Sequence, residues 1–89
     1  MLWRNEMDTE FSAIVNVSHL KIQYNLNGSK LVKKGCYSIE IKCGEEVVLL
    51  TNVADSYQEA KVFFDMLVYG TVTPVTAEDV FEDWKYMKP

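Results

Sequence analysis

The chain contains few of the side chains that carry out catalysis or bind metal ions. Its 89 residues include one histidine, two cysteines and four glycines. A nucleophilic site needs a base oriented by a third group, and His19 is the only histidine available for that role. A structural zinc site needs four nitrogen or sulfur ligands, and a phosphate loop needs clustered glycines. These scarcities predict a protein that is not an enzyme and that holds no cofactor and no metal.

Long apolar runs are missing as well. No window approaches the roughly 18 uncharged apolar residues of a membrane span, and residues 1–6 lack the basic and apolar regions of a signal peptide. Cys36 and Cys43 fall on opposite faces of one predicted strand, because side chains alternate along a strand. Two free thiols are typical of a reducing compartment. We therefore expect a cytoplasmic protein that does not contact a membrane.

Positive charge is in short supply. Thirteen Asp and Glu stand against nine Lys and Arg, which gives a formal net charge of −4. Phosphate binding depends on clustered Lys and Arg, so we expect no direct contact with nucleic acid. The excess of carboxylates is concentrated in residues 56–89. This part of the chain is either a solvated surface that maintains solubility or a docking surface for a basic partner.

The first half of the chain has the alternating pattern of short β-strands. Residues 20–26 alternate between apolar and polar side chains, and Asn27-Gly28 predicts a turn after them. A second strand spans residues 36–43, and a turn around Gly44 leads into a third over residues 47–53. This third strand is more continuously apolar, which indicates a central position or an outer face that meets another element. The three strands predict an antiparallel meander.

Residues 1–17 admit two interpretations, because their apolar residues fit helical spacing and strand spacing about equally well. We expect a first strand from about residue 11, preceded by a loose or partner-ordered segment. Residues 1–17 are therefore either an extension or an edge strand of one domain that spans residues 1–89. Trp3 is an aromatic residue in a largely polar segment and is a candidate interface anchor.

Two amphipathic helices follow the strands. Ser56 and Glu59 form a capping box, and Gly70 at the C′ position ends the first helix. Thr73-Pro74 interrupts the helical pattern, and a second helix begins at Thr76. The predicted buried faces are Tyr57, Ala60, Phe63, Phe64, Leu67 and Val68 on the first helix and Ala77, Val80, Phe81, Trp84 and Met87 on the second.

The predicted fold class is α+β, with a three- to four-stranded antiparallel meander, a helix packed on one face and a short C-terminal helix. Two helical surfaces remain for a partner. The first is a second apolar stripe on the first helix, which the terminal helix, the N-terminal segment, a second copy or another protein would have to cover. The other is the acidic face of the last helix. The candidate residues are Val62, Met66 and Tyr69 for the stripe and Glu78, Glu82 and Asp83 for the acidic face.

Three blocks of sequence carry a resemblance to a known family. They are CYSIEI at residues 36–41, TNVADS at residues 51–56 and TPVTAEDVFEDW at residues 73–84. In this order they resemble a family of short uncharacterised clostridial proteins that is described as a domain of unknown function, over roughly residues 20–86. Ser38 stands where that family has glycine. The resemblance implies the α+β fold and assigns no activity and no catalytic residue.

These features predict a small, acidic, non-enzymatic protein-binding module that regulates or inhibits a larger protein, with a homodimer as an additional arrangement. Two alternatives from other classes stay open. One is an inhibitor encoded by a phage or mobile element that occupies the basic groove of a nucleic-acid enzyme, of the anti-CRISPR or nucleic-acid-mimic type. The other is a small-ligand carrier or enzyme.

Overall fold

A computed structural model describes residues 7–29 and 37–87 of the chain. Four strands form one antiparallel sheet in the order β1-β2-β3-β4, followed by two helices. The predicted α+β fold with an antiparallel meander is confirmed, and the sheet has four strands. Trp3 and Cys36 lie outside the described residues. The elements are β1 (Met7–Val17), β2 (Leu20–Ser29), β3 (Ser38–Cys43), β4 (Glu46–Leu50), α1 (Tyr57–Tyr69) and α2 (Pro74–Met87).

Neither of the helices in residues 7–29 and 37–87 combines the length and the apolar character that crossing a membrane would require.

The β1–β2 hairpin differs from the prediction at both ends. Strand β1 begins at Met7, earlier than the expected residue 11. The predicted turn at Asn27-Gly28 is wrong, because these residues continue β2 and pair with β1. The β1–β2 hairpin closes at the opposite end of β2, through Ser18-His19, where Ser18 has a φ of 53°. Asn-Gly tolerates a turn but does not require one, and pairing with the long β1 satisfies its backbone groups in extended form.

Strand β4 lies at the edge of the sheet, whereas its apolar run predicted a central position or a covered outer face. Val48 and Leu50 point toward the core, while the outward side chains of Val47 and Leu49 are both more than half exposed. The prediction is wrong because both helices pack on the same face of the sheet. The β3–β4 turn occurs as predicted, with Gly44 at a φ of 64°, and the strand ends at Leu50.

The core lies between the helices and one face of the sheet. Tyr24, Phe63 and Phe64 are its largest fully buried side chains. The ring of Phe64 meets that of Tyr24 edge to face, with centroids 6.4 Å apart. On the other side, Phe63 stacks on Trp84 at 4.9 Å, and the Trp84 indole Nε1 donates a hydrogen bond to the Val53 carbonyl at 3.2 Å. The Tyr24–Phe64 pair therefore joins α1 to the sheet, and the Phe63–Trp84 pair joins the two helices to each other.

The start of α1 and its last residue, Tyr69, are confirmed, but the residues that cap its C-terminus are displaced by one position from the prediction. The Ser56 hydroxyl accepts a hydrogen bond from the Glu59 amide at 3.2 Å. Gly70 has a φ of −82°, so it is the C-cap, and Thr71 occupies the C′ position with a φ of 53°. The amides of Thr71 and Val72 donate to carbonyls of the last turn, which is the Schellman pattern. On the buried face, Ala60, Phe63, Phe64 and Leu67 are buried as predicted, Val68 is partly buried, and Tyr57 is exposed.

Helix α2 begins at Pro74, two residues before the predicted start at Thr76. Proline suits the first helical position, because its amide would have no partner there. The Thr73 carbonyl accepts a hydrogen bond from the Thr76 amide at 3.2 Å, so the chain is already turning at Thr73. Of the predicted buried face, Ala77 and Trp84 are buried and Val80 and Phe81 are partly buried. Met87 is 61% exposed, so its predicted burial is wrong.

Candidate functional site

A groove runs along the full length of β4, between this edge strand and α2. It consists of two depressions of about 470 and 320 Å³ that share Glu78. We call it the β4–α2 groove. The first depression is lined by Glu45, Glu46, Val47, Val48, Pro74, Val75 and Glu78, and the second by Leu49, Leu50, Thr51, Glu78, Asp79, Phe81, Glu82 and Lys85.

The groove follows from how α2 is anchored. Pro74, Ala77 and Trp84 are buried, and this fixes which side of the helix meets the sheet. Residues four apart lie on the same side of a helix, so Glu78 and Glu82 line the groove together while the buried residues hold α2 beside β4. The acidic row is therefore carried by a helix that the core holds in place.

The charges that line the groove are mostly negative. Of the residues that the structure describes, five carboxylates line it and Lys85 is the single lining cation. The Lys85 ammonium lies 3.6 Å from a Glu82 carboxylate oxygen and 4.8 Å from the centre of the Phe81 ring. Lys85 is thus already engaged, and an exposed pair of this kind contributes little to stability. The groove keeps an excess of negative charge beside apolar side chains.

The structure places the predicted acidic residues in two different settings. Glu78 and Glu82 line the groove, whereas Asp83 is exposed on α2 and does not line it. The prediction from sequence did not include Glu45, Glu46, Val47 and Leu49. The signal for them is the acidic pair directly before an apolar run, a pattern that by itself predicts a turn followed by a covered strand.

The second apolar stripe on α1 is open among the described residues. Val62, Met66 and Tyr69 are 54%, 37% and 87% exposed. Neither α2 nor residues 11–17 cover these side chains, because their exposure is measured with both in place. Val62 also lines a shallow depression of about 480 Å³ that ends at Trp84. Trp3, the proposed anchor, lies outside the described residues.

A second cleft of about 610 Å³ lies at the end of the sheet that carries both tight turns. His19, Cys43 and Glu46 line it, together with Leu20, Lys21, Gly44, Thr73 and Val75. The tertiary structure therefore brings together the histidine and a cysteine that the sequence treats as isolated. Among the described residues, no hydrogen bond joins His19 to Cys43, and no three His, Cys, Asp or Glu side chains are grouped to hold a metal ion. The cleft does not contain an assembled nucleophile and base.

Tyr24 supports the loop that forms one wall of this cleft. Its hydroxyl donates a hydrogen bond of 2.8 Å to the Val72 carbonyl, immediately before Thr73. Burial raises the pKa of Tyr24 from 10.0 to about 12, and an electrostatic contribution from Cys43 adds to the effect. The hydroxyl is protonated at physiological pH and holds the α1–α2 connection against the sheet.

Comparison with known proteins provides a family and no activity. No curated protein matches the chain, and no solved structure matches it. The sequence profile of one family matches residues 5–87, which include all the strands and helices that the structure describes. The chain therefore belongs to the Family of unknown function (DUF6514).

Proposed function

We propose that the protein is a non-enzymatic protein-binding module that acts in the cytoplasm and regulates or inhibits a larger partner. The observation that carries the proposal is the β4–α2 groove, in which five carboxylates surround exposed apolar side chains beside an edge strand. Solubility accounts for the carboxylates alone. It does not account for Val47, Leu49 and Val75, which are each more than half exposed next to them.

Exposed apolar side chains on an edge strand carry a cost. They promote association between sheets, and natural proteins usually shorten, cover or charge such edges. Here carboxylates line the same groove as Val47 and Leu49, and the cross-strand neighbours of these two residues on β3 are Lys42 and Glu40. This arrangement repels a second acidic copy of the chain, and it leaves an apolar surface that a basic partner can cover. The Val62, Met66 and Tyr69 stripe on α1 offers a second contact of apolar character.

The proposal is tested by cross-linking and affinity capture from a clostridial lysate, since the sequence resembles short clostridial proteins. The wild type is compared with Glu78→Lys, Met66→Asp and the matched control Asp83→Lys, which makes the same charge change on α2 outside the groove. We expect Glu78→Lys to lose a partner that the wild type and the control retain. If all four proteins capture the same partners, neither the groove nor the α1 stripe binds them, and the proposal is contradicted.

The salt dependence of capture gives a second measurement. Interactions between exposed charges are largely screened beyond about 8 Å at physiological ionic strength and over shorter distances in stronger salt. Capture through the groove should therefore weaken as salt rises, and Glu78→Lys should reduce this dependence. If Glu78→Lys still captures the partner at high salt and Met66→Asp does not, the partner binds the α1 stripe and not the groove.

A further inference from the structure

We propose that the β4–α2 groove binds an extended basic segment of the partner, which adds to the sheet as a strand beside β4. This inference rests on the proposed function, because it names the chemistry and the binding mode of the same surface. The segment would alternate basic and apolar side chains, with the basic ones on the helix side of the sheet and the apolar ones on its outer face.

The edge position of β4 provides the backbone complement. In the order β1-β2-β3-β4, no strand of residues 7–29 and 37–87 lies on the far side of β4. Alternate amide and carbonyl groups of an edge strand point away from the sheet and form a template for another chain. The five residues Glu46–Leu50 span about 17 Å at roughly 3.4 Å per residue, which is enough to pair with a segment of similar length.

The two faces of β4 determine the side-chain pattern of the added strand. On the outer face, Val47 and Leu49 are exposed and would pack against apolar side chains of the neighbour. On the helix side, the neighbour would meet Glu78 and Glu82, with Phe81 between them. Lysine or arginine suits that position, because its apolar stem can lie along the groove while its charge reaches the carboxylates. Glu45 and Glu46 extend the acidic lining to the turn end of the groove.

Charge selects a basic partner over a second copy of this chain. Two copies joined edge to edge through β4 would bring two sets of five carboxylates together around the new strand pair. Like charges placed across an interface oppose association. A basic segment instead replaces this repulsion with attraction, and its apolar residues cover Val47 and Leu49.

The probe is a blocked seven-residue peptide in which lysine alternates with valine, and its control has glutamate in place of lysine. Binding is followed by amide chemical shifts and hydrogen exchange of the full chain in low salt. We expect the lysine peptide to shift and protect amides of Glu46–Leu50, and the glutamate peptide not to bind. Glu78→Lys should weaken binding at least tenfold, whereas Asp83→Lys should change it less than threefold. Shifts restricted to α2, or equal loss in both variants, would overturn the proposal.

Backbone methylation separates strand addition from simple charge attraction. Two further peptides carry N-methyl groups either on the lysines or on the valines, so that opposite edges of the same strand are blocked. We expect one of them to lose binding at least tenfold and the other to stay within threefold of the parent. Equal binding of the two methylated peptides would overturn strand addition.

The outcomes distinguish this inference from the proposed function. If Glu78→Lys loses a captured partner but the peptides do not bind β4, the proposed function is supported and strand addition is rejected. If the peptides bind as expected but no partner is captured, the regulatory function is rejected and strand addition beside β4 is supported. A concentration-dependent dimer in sedimentation, with the β4 amides protected without peptide, overturns the choice of a basic partner over a second copy.

Discussion

Replacing Tyr24 with phenylalanine removes the hydrogen bond that ties the α1–α2 connection to the sheet. The hydroxyl donates to the Val72 carbonyl at 2.8 Å from a fully buried ring. Phenylalanine keeps the ring and its edge-to-face contact with Phe64, and leaves that carbonyl without its donor. We expect the free energy of unfolding to fall by about 1 to 2 kcal/mol at pH 7.

The same hydroxyl makes stability depend on pH in the alkaline range. The unfolded chain releases the tyrosine proton near pH 10, whereas the folded protein holds it to about pH 12, the raised pKa of Tyr24. Between these values the unfolded state binds fewer protons, so the stabilising contribution is complete below pH 10 and is lost as pH rises toward 12. At pH 11.5 the wild type should have lost about 2 kcal/mol through this one group. The Tyr24→Phe variant has no such loss.

Urea unfolding of both proteins at pH 7, 9, 10.5 and 11.5, followed by circular dichroism, measures the two effects together. The wild type should be the more stable protein at pH 7, and the difference should fall to zero or reverse by pH 11.5. Every other ionisable side chain is present in both proteins, so the difference between the two reports on the Tyr24 hydroxyl. A difference that stays constant from pH 7 to pH 11.5 would refute the assignment of the raised pKa to the buried hydroxyl.

Three further substitutions test the packing, each by urea unfolding. Thr71→Gly should stabilise the protein by about 0.5 to 1 kcal/mol, because a β-branched residue is strained at a φ of 53°, and a loss of stability would contradict the Schellman ending. Trp84→Phe should cost about 2 to 3 kcal/mol, since the bond to the Val53 carbonyl and part of the stack on Phe63 disappear, and a neutral result would exclude that contact. Met87→Gln should change stability by less than about 0.5 kcal/mol, whereas a loss of 2 kcal/mol would restore the burial that helical spacing predicts.

Features that depend on a few neighbouring residues were predictable. The Ser56 cap is correct because the hydroxyl and the amide that it serves are three residues apart in any helix. The Gly44 turn is correct for a similar reason, and so is the buried face of α1 apart from Tyr57, which is exposed. The C-terminal end of α1 was less predictable, since Gly70 and Thr71 are adjacent and both fit a helix end. In the structure Thr71 is the residue with a positive φ, and the next residue, Val72, is bonded to the sheet through the Tyr24 hydroxyl.

Features that depend on which elements are neighbours were predicted wrongly or not at all. Asn27-Gly28 continues a strand because β1 is long enough to pair with it. The apolar run of β4 indicated burial, but the side of the sheet that the helices leave open exposes Val47 and Leu49. In the candidate site, too, the features set by neighbouring residues were predicted and those set by packing were not. Glu78 and Glu82 were named from the acidic pattern of their helix, whereas the edge strand that completes the groove was not.

The class of fold, the approximate positions of the helices and the acidic character of the last third follow from local sequence, because alternation, helical spacing, caps and charge are properties of neighbouring residues. The edge position of β4, the course of α2 along it and the meeting of five carboxylates with exposed apolar side chains there follow from the packing of distant elements. The reason is that the packing of two helices on one face is a long-range outcome of core formation. No local pattern specifies which strand is left without a neighbour.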